Sequence, residues 1–200
     1  MNITNFNLLL QNIKNEGYSE TFRRLVFRFL KINRFFILRL HLCDAIPKFE
    51  SQLDLIVKEV TFNELEKIRF DSQRLPSEFF RDLISPKERC FVCSVSNEIA
   101  FISWISLKGS SGFLKIPDGD VEQNYNFCLP KFRGRALYPL STKHIAQKLY
   151  SEGFNNIWTV IHDQNIAAIK GAKLIGFSKV SEVKRLGIVK WRAKNFEPMF

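Results

Sequence analysis

No apolar run in this 200-residue chain approaches the roughly 20 residues that a bilayer-crossing helix needs, which excludes a transmembrane helix. Histidine is scarce. The three His and the four cysteines, Cys43, Cys90, Cys93 and Cys128, supply one close pair and no clustered ligand spacing, so no metal is expected. That pair, Cys90-x-x-Cys93, lies in Arg89-Cys-Phe-Val-Cys-Ser-Val95, a stretch of strand composition, and reads as two buried strand cysteines. Gly134 is not followed by Lys-Ser/Thr, so there is no P-loop, and neither a Gly-x-Ser-x-Gly elbow nor a His-Glu-x-x-His helix occurs. Met1 to Leu10 lacks the basic start and small-residue cleavage site of a secretory signal, so a reducing cytoplasm is the expected compartment. Internal repeats and low-complexity tracts are missing too.

What is present is a globular composition: 46% hydrophobic residues and 20 Phe, enough for one domain with an appendage and too little for two. The formal charge of +10 and pI near 9.6 favour anionic partners without choosing among nucleic acid, anionic lipid and phosphate-rich cofactors. Part of the excess is local, since Arg23, Arg24, Arg28, Lys31, Arg34 and Arg39 fall within residues 21–40 with no acid among them. Residues 19–34 read as a basic amphipathic helix, with Phe22, Leu25, Val26, Phe29 and Leu30 at helical spacing. Such a helix either packs on the main domain or docks on an anionic membrane surface. Residues 1–50 are therefore read as an N-terminal helical extension and 51–200 as the main domain.

Within the main domain, residues 53–60 read as a strand, and Thr61 with Glu64 forms a capping box for a helix through Ile68. Residues 89–95 and 99–107 read as a hairpin, 123–129 as a strand, and 137–153 as a helix. Residues 156–161 are the next strand, Asn165 caps a helix that Gly176 closes, and 177–186 with 188–193 form a terminal strand pair. The order is mixed α/β.

The segment Leu129-Pro-Lys-Phe-Arg-Gly-Arg-Ala-Leu-Tyr-Pro-Leu140 carries the functional inference. A strand that passes through a basic glycine turn into a helix gathers free amides and the positive end of a helix dipole in one volume, which suits a pyrophosphate. Arg133, Arg135 and Lys131 would add charge there, and Gly134 would admit close approach of the backbone. Pro130, Arg133 and Gly134 resemble the acyl-CoA pyrophosphate loop of the GCN5-related (GNAT) N-acetyltransferases, with Ala136 and the bulky Tyr138 departing from its later small positions. Asn165-Ile-Ala-Ala168, followed by Leu174-Ile-Gly-Phe177, resembles a second, downstream motif of the same superfamily.

The resemblance implies a mostly antiparallel central sheet flanked by helices, and an acyl-CoA co-substrate, most simply acetyl-CoA. It places the cofactor against Cys128, Leu129, Phe132, Arg133, Gly134, Arg135, Ala136, Leu137, Tyr138, Asn165 and Ala168. The implied reaction is attack of an amine on the thioester, which needs a base, an oxyanion stabiliser and an acid for the thiolate. The position where many family members carry the acidic Tyr is Ala172 here, so Tyr138 or Tyr125 stands in as candidate. Glu122, with Asp120 as its neighbour, is the candidate base, and His162 the candidate proton relay. A catalytically weakened CoA-binding or interaction module is the alternative reading. The expected partner is a small-molecule or glycan-precursor amine, whereas nucleic-acid binding ranks last because the aromatics alternate inside strand and helix patterns. Oligomeric state is left open.

Overall fold

The computed structural model describes residues 32–43, 53–71, 75–110, 112–186 and 189–192. The described chain opens with strand β1 (Ile32–His41), followed by β2 (Leu55–Val60), helix α1 (Phe62–Asp71) and a 3-10 segment (Ser77–Leu83). Strands β3 (Arg89–Val95) and β4 (Glu98–Ser106) come next. Strand β5 (Asp120–Cys128) then runs through a short 3-10 turn (Pro130–Phe132) into α2 (Leu137–Ser151). Strand β6 (Asn156–His162), helix α3 (Ile166–Ile175), β7 (Ser178–Leu186) and β8 (Val189–Arg192) complete it. The fold is mixed α/β with one eight-stranded sheet, ordered β2-β3-β4-β5-β6-β1-β7-β8. All neighbours pair antiparallel except β5 and β6, which run parallel.

Local chemistry explains the boundaries. At the start of α1 the Thr61 hydroxyl accepts the Glu64 amide at 3.3 Å while the Glu64 carboxylate accepts the Thr61 amide at 2.8 Å, a reciprocal capping box. Ser96 and Asn97, with φ of 50° and 64°, supply the two left-handed residues that a tight hairpin between β3 and β4 requires. Gly176, at φ 103°, ends α3 so that the Phe177 amide reaches back to the Ala172 carbonyl at 3.0 Å.

Helices cover both faces of the sheet. Ile145 and Leu149 of α2 and Ala172 and Ile175 of α3 pack on Phe91, Ile105, Val121 and Ile157. On the other face, Leu65 of α1 and Phe79 of the 3-10 segment close over Cys90, Val92, Ile102 and Trp104. Cys90 and Cys93 are both buried thiols, and they join different clusters, as strand residues do.

One expectation needs correction. The basic helix read over residues 19–34 lies outside the described residues for 19–31, while Ile32, Asn33 and Arg34 begin β1. That strand lies between β6 and β7, with Phe36 in register with Ile161 on one side and Glu182 on the other. Residues 32–41, placed by the sequence in an extension, are thus an interior strand. Ile37, Leu38 and Leu40 are buried in it, and such a two-sided strand reads as a near-continuous apolar run without the alternation that announces an exposed one.

Candidate active site

Strands β5 and β6 pair only through Asp120, Val121 and Glu122, opposite Asn156, Ile157 and Trp158, and part beyond that point. Asp120 bolts the paired end: its two oxygens accept Asn156 Nδ2 at 2.9 Å and the Trp158 indole N–H at 2.7 Å. The carboxylate offered by sequence as a second base is thereby committed to structure. Further along β5 the register against β4 shifts at Tyr125, whose φ is 47°, so that Tyr125 and Asn126 together face Ser103. The bulge bends β5 away from β6. Between the two strands opens a cleft of about 1120 Å³, floored by β5 and β6 and walled by the start of α2, by α3 and by Phe113.

One half of this cleft faces the loop before α2. Gly134 at φ 79° and Ala136 at φ 54° alternate left-handed positions with ordinary ones, and α2 starts without any side-chain cap. A run of this kind turns successive amides toward one concavity at the positive end of the helix dipole. A Cβ on Gly134 would meet nothing within 4 Å, so the glycine answers to its φ and not to crowding. Asn165 caps α3, its Oδ1 accepting the Ala168 amide at 3.2 Å, and both residues line the cleft with Lys170 and Gly171.

Of the predicted cofactor residues, Cys128, Phe132, Arg133, Gly134, Ala136, Leu137, Tyr138, Asn165 and Ala168 line the cleft. Leu129 instead packs into the core, and Arg135 lies against the Phe132 ring at 5.5 Å. Lys131 is held by Glu98 at the start of β4. The Arg133 Nε donates to the Cys128 carbonyl at 3.2 Å, and its guanidinium lies 5.6 Å from the Phe127 ring. Burial raises the Cys128 thiol, with Arg133 pulling against it.

Tyr138 reaches from α2 toward β6, its hydroxyl buried beside Thr159 without a hydrogen bond of good geometry. Burial drives the phenol well above its usual range and the nearby Thr159 offsets this in part, so the group stays protonated. Gly171 of α3 makes room for it, since a Cβ there would sit 2.8 Å from Tyr138 Cδ1.

The other half of the cleft holds Glu122, which has no exposed surface. Its oxygens accept the Phe113 amide at 3.1 Å and the Leu114 amide at 2.9 Å. Gly112 makes this embrace possible, because a Cβ at that position would stand 2.5 Å from Glu122 Oε2. Burial pushes the carboxyl up to about 7, the two amides pull it down, and Glu88 adds to the rise while Arg81 opposes it. His162 stands four residues beyond Trp158, roughly 13 Å further along β6 than the register partner of Glu122. Its Nδ1 lies 3.1 Å from the Gln164 amide nitrogen and 3.2 Å from Asp163 Oδ1, and its Nε2 stands 3.2 Å from Asn33 Oδ1. The structure thus brings Glu122, Tyr138 and His162 to the lining of one cleft, with His162 well beyond Glu122 along the sheet.

Sequence reasoning missed the cleft residues Asn124, Thr159 and Gly171, which carry no local motif, and Phe35 and Phe113. Phe35 was hidden because residues 1–50 read as an extension apart from the main domain, although its ring meets His162 edge-on at 5.0 Å.

The structure is similar to a GCN5-related N-acetyltransferase from Sphaerobacter thermophilus, with a TM-score of 0.54 and 11% identity over 84% of this chain and 55% of that one. It is similar as well to a GNAT-family acetyltransferase from Colwellia psychrerythraea, with a TM-score of 0.54 and 13% identity over 82% of this chain and 57% of that one. The chain has the GNAT fold. It spans little more than half the length of these two GNAT structures. No family model matches the sequence, and no curated protein matches it. No helix among the described residues is long and apolar enough to cross a membrane.

Proposed function

We propose that the chain is an acyl-CoA-dependent N-acyltransferase that moves an acetyl group from acetyl-CoA to the amine of a small-molecule acceptor. The observation that carries this reading is the cleft where β5 leaves β6, with uncapped amides at one end and a buried carboxyl titrating near neutrality at the other. Amides from Gly134 to Tyr138, with Arg133 and Lys170 close by, receive the pyrophosphate, and the parted edge of β5 takes the pantetheine arm. The acceptor ammonium gives a proton to Glu122, directly or through a water, and its nitrogen attacks the thioester carbonyl carbon. The C–S bond then breaks, the acyl group stays on nitrogen, and the departing thiolate takes a proton from Tyr138, which regains one from the amine through solvent.

A Glu122→Gln variant tests the assignment. Removal of a positioned general base lowers kcat about 100-fold or more. In the parent protein kcat/KM with acetyl-CoA rises with pH through about 7, as Glu122 ionises, and the variant loses that limb. Equal rates and identical profiles in both proteins would remove Glu122 from the reaction.

A further inference from the structure

The two halves of the cleft differ in charge. Arg133 and Lys170 stand in the half next to the α2 loop and α3, whereas the half around Phe113 presents Glu122, Asn124 and aromatic rings, with His162 beside Phe35. The nearest buried cation, Arg81, is already used. Its Nε and Nη2 hold the Glu88 carboxylate at 2.8 and 3.2 Å, and its guanidinium lies 3.9 Å from the centre of the Tyr125 ring. Both partners of this pair are buried, Arg81 at 8% and Glu88 at 3% exposure.

That pair dictates polarity at the cleft. A carboxylate bound to arginine only accepts, so the Ser106 hydroxyl, 2.8 Å away, gives its proton to Glu88. The Ser106 oxygen is then the acceptor for Asn124 Nδ2 at 2.7 Å. This turns Asn124 so that its Oδ1 remains an acceptor with no partner in the protein. Glu122 and Asn124, two residues apart on β5, therefore both offer acceptors, and neither supplies a donor to an anion. Around them Phe35 and Phe113 stand 6.0 Å apart, and Phe113 and Tyr125 are 40% and 46% exposed.

Resting on the acyltransferase reading, we propose that the acceptor is a primary ammonium carried on an apolar, flat body that lies against the packed Phe35–Phe113 pair. In this proposal Arg81 and Glu88 are positioning residues that hold Asn124 as an acceptor. An acceptor bearing phosphate or carboxylate is disfavoured here, since it would bury its charge against Glu122. Phe35 lies on β1, so the interior N-terminal strand contributes to choice of acceptor as well as to the sheet.

The test uses the full chain saturated with CoA, with phenethylamine and glucosamine 6-phosphate as probes, followed by calorimetric binding and by acetyl transfer from acetyl-CoA. Phenethylamine is expected to bind at least tenfold more tightly than glucosamine 6-phosphate. Phe35→Ala weakens it about fivefold or more, in line with the worth of an aromatic pair, with the acetyl-CoA thermal shift unchanged. Glu88→Gln, which keeps the shape but frees the relay to reverse, raises KM for phenethylamine more than it lowers kcat. Tighter binding of glucosamine 6-phosphate, no binding of phenethylamine, or an unaltered Phe35→Ala affinity would overturn the proposal. Absence of any acetyl-CoA shift in the parent chain would instead count against the acyltransferase reading beneath it.

Discussion

At the scale of single residues, Glu122 links chemistry to stability. Its carboxyl titrates near 7 in the folded chain against a reference of 4.5, so the folded state favours the protonated form. The associated stability is fully present below about 4.5 and is lost as pH rises through about 7, by roughly 3 kcal/mol for that shift. Glu59, held below its usual range chiefly by Arg89, works in the opposite sense and only below about 4.5. Urea unfolding between pH 5 and 8.5 is expected to show falling stability in the parent and a flatter profile in Glu122→Gln. A stability that climbs across that window would contradict the burial of Glu122. The sequence names Glu122 as a candidate base but not its burial, which comes from Gly112, ten residues earlier, folding the loop amides onto it.

At the scale of elements, the junction of α2 and α3 is tight because Tyr138 occupies space that Gly171 vacates. Gly171→Ala would normally favour a helix by up to about 1 kcal/mol. Here the added methyl meets the ring of a buried side chain, so the variant is expected to melt below the parent, and a Gly171→Ala, Tyr138→Leu double variant to recover part of the loss. A single variant that melts above the parent would show that Tyr138 yields freely. The elements themselves were largely legible. The capping box at Thr61, the hairpin turn at Ser96 and Asn97, and the glycine at 176 each act through neighbours a few residues away, and there the sequence boundaries agree with the structure within a few residues. The 3-10 segment Ser77–Leu83 and strand β1 were not legible, because the first has no sustained period and the second pairs with strands more than a hundred residues away. The loop before α2 was readable from Pro130, Arg133 and Gly134, while the side-chain choices of Lys131 and Arg135 depended on Glu98 and Phe132.

For the whole molecule, the sheet is continuous only because β1 bridges β6 and β7. A chain begun at residue 51 would leave both of those strands with open edges and expose Ile161 and Val183, which β1 flanks. It is expected to lack cooperative unfolding by circular dichroism; a two-state transition near that of the full chain would show β1 to be dispensable. The same continuity holds β6 in position opposite β5, so the cleft that defines the proposed activity depends on the N-terminal strand as much as on the loop before α2. The most direct test of that activity is thermal stabilisation by acetyl-CoA of the full chain beside an Arg133→Glu, Gly134→Asp variant, since a ligand that binds the native state raises its apparent stability. The cleft predicts a rise in Tm of several degrees in the parent, on the order of that given by 1–3 kcal/mol of binding free energy, and none in the variant. No shift at saturating acetyl-CoA, or an equal shift in both proteins, would contradict the assignment of this cleft to acyl-CoA.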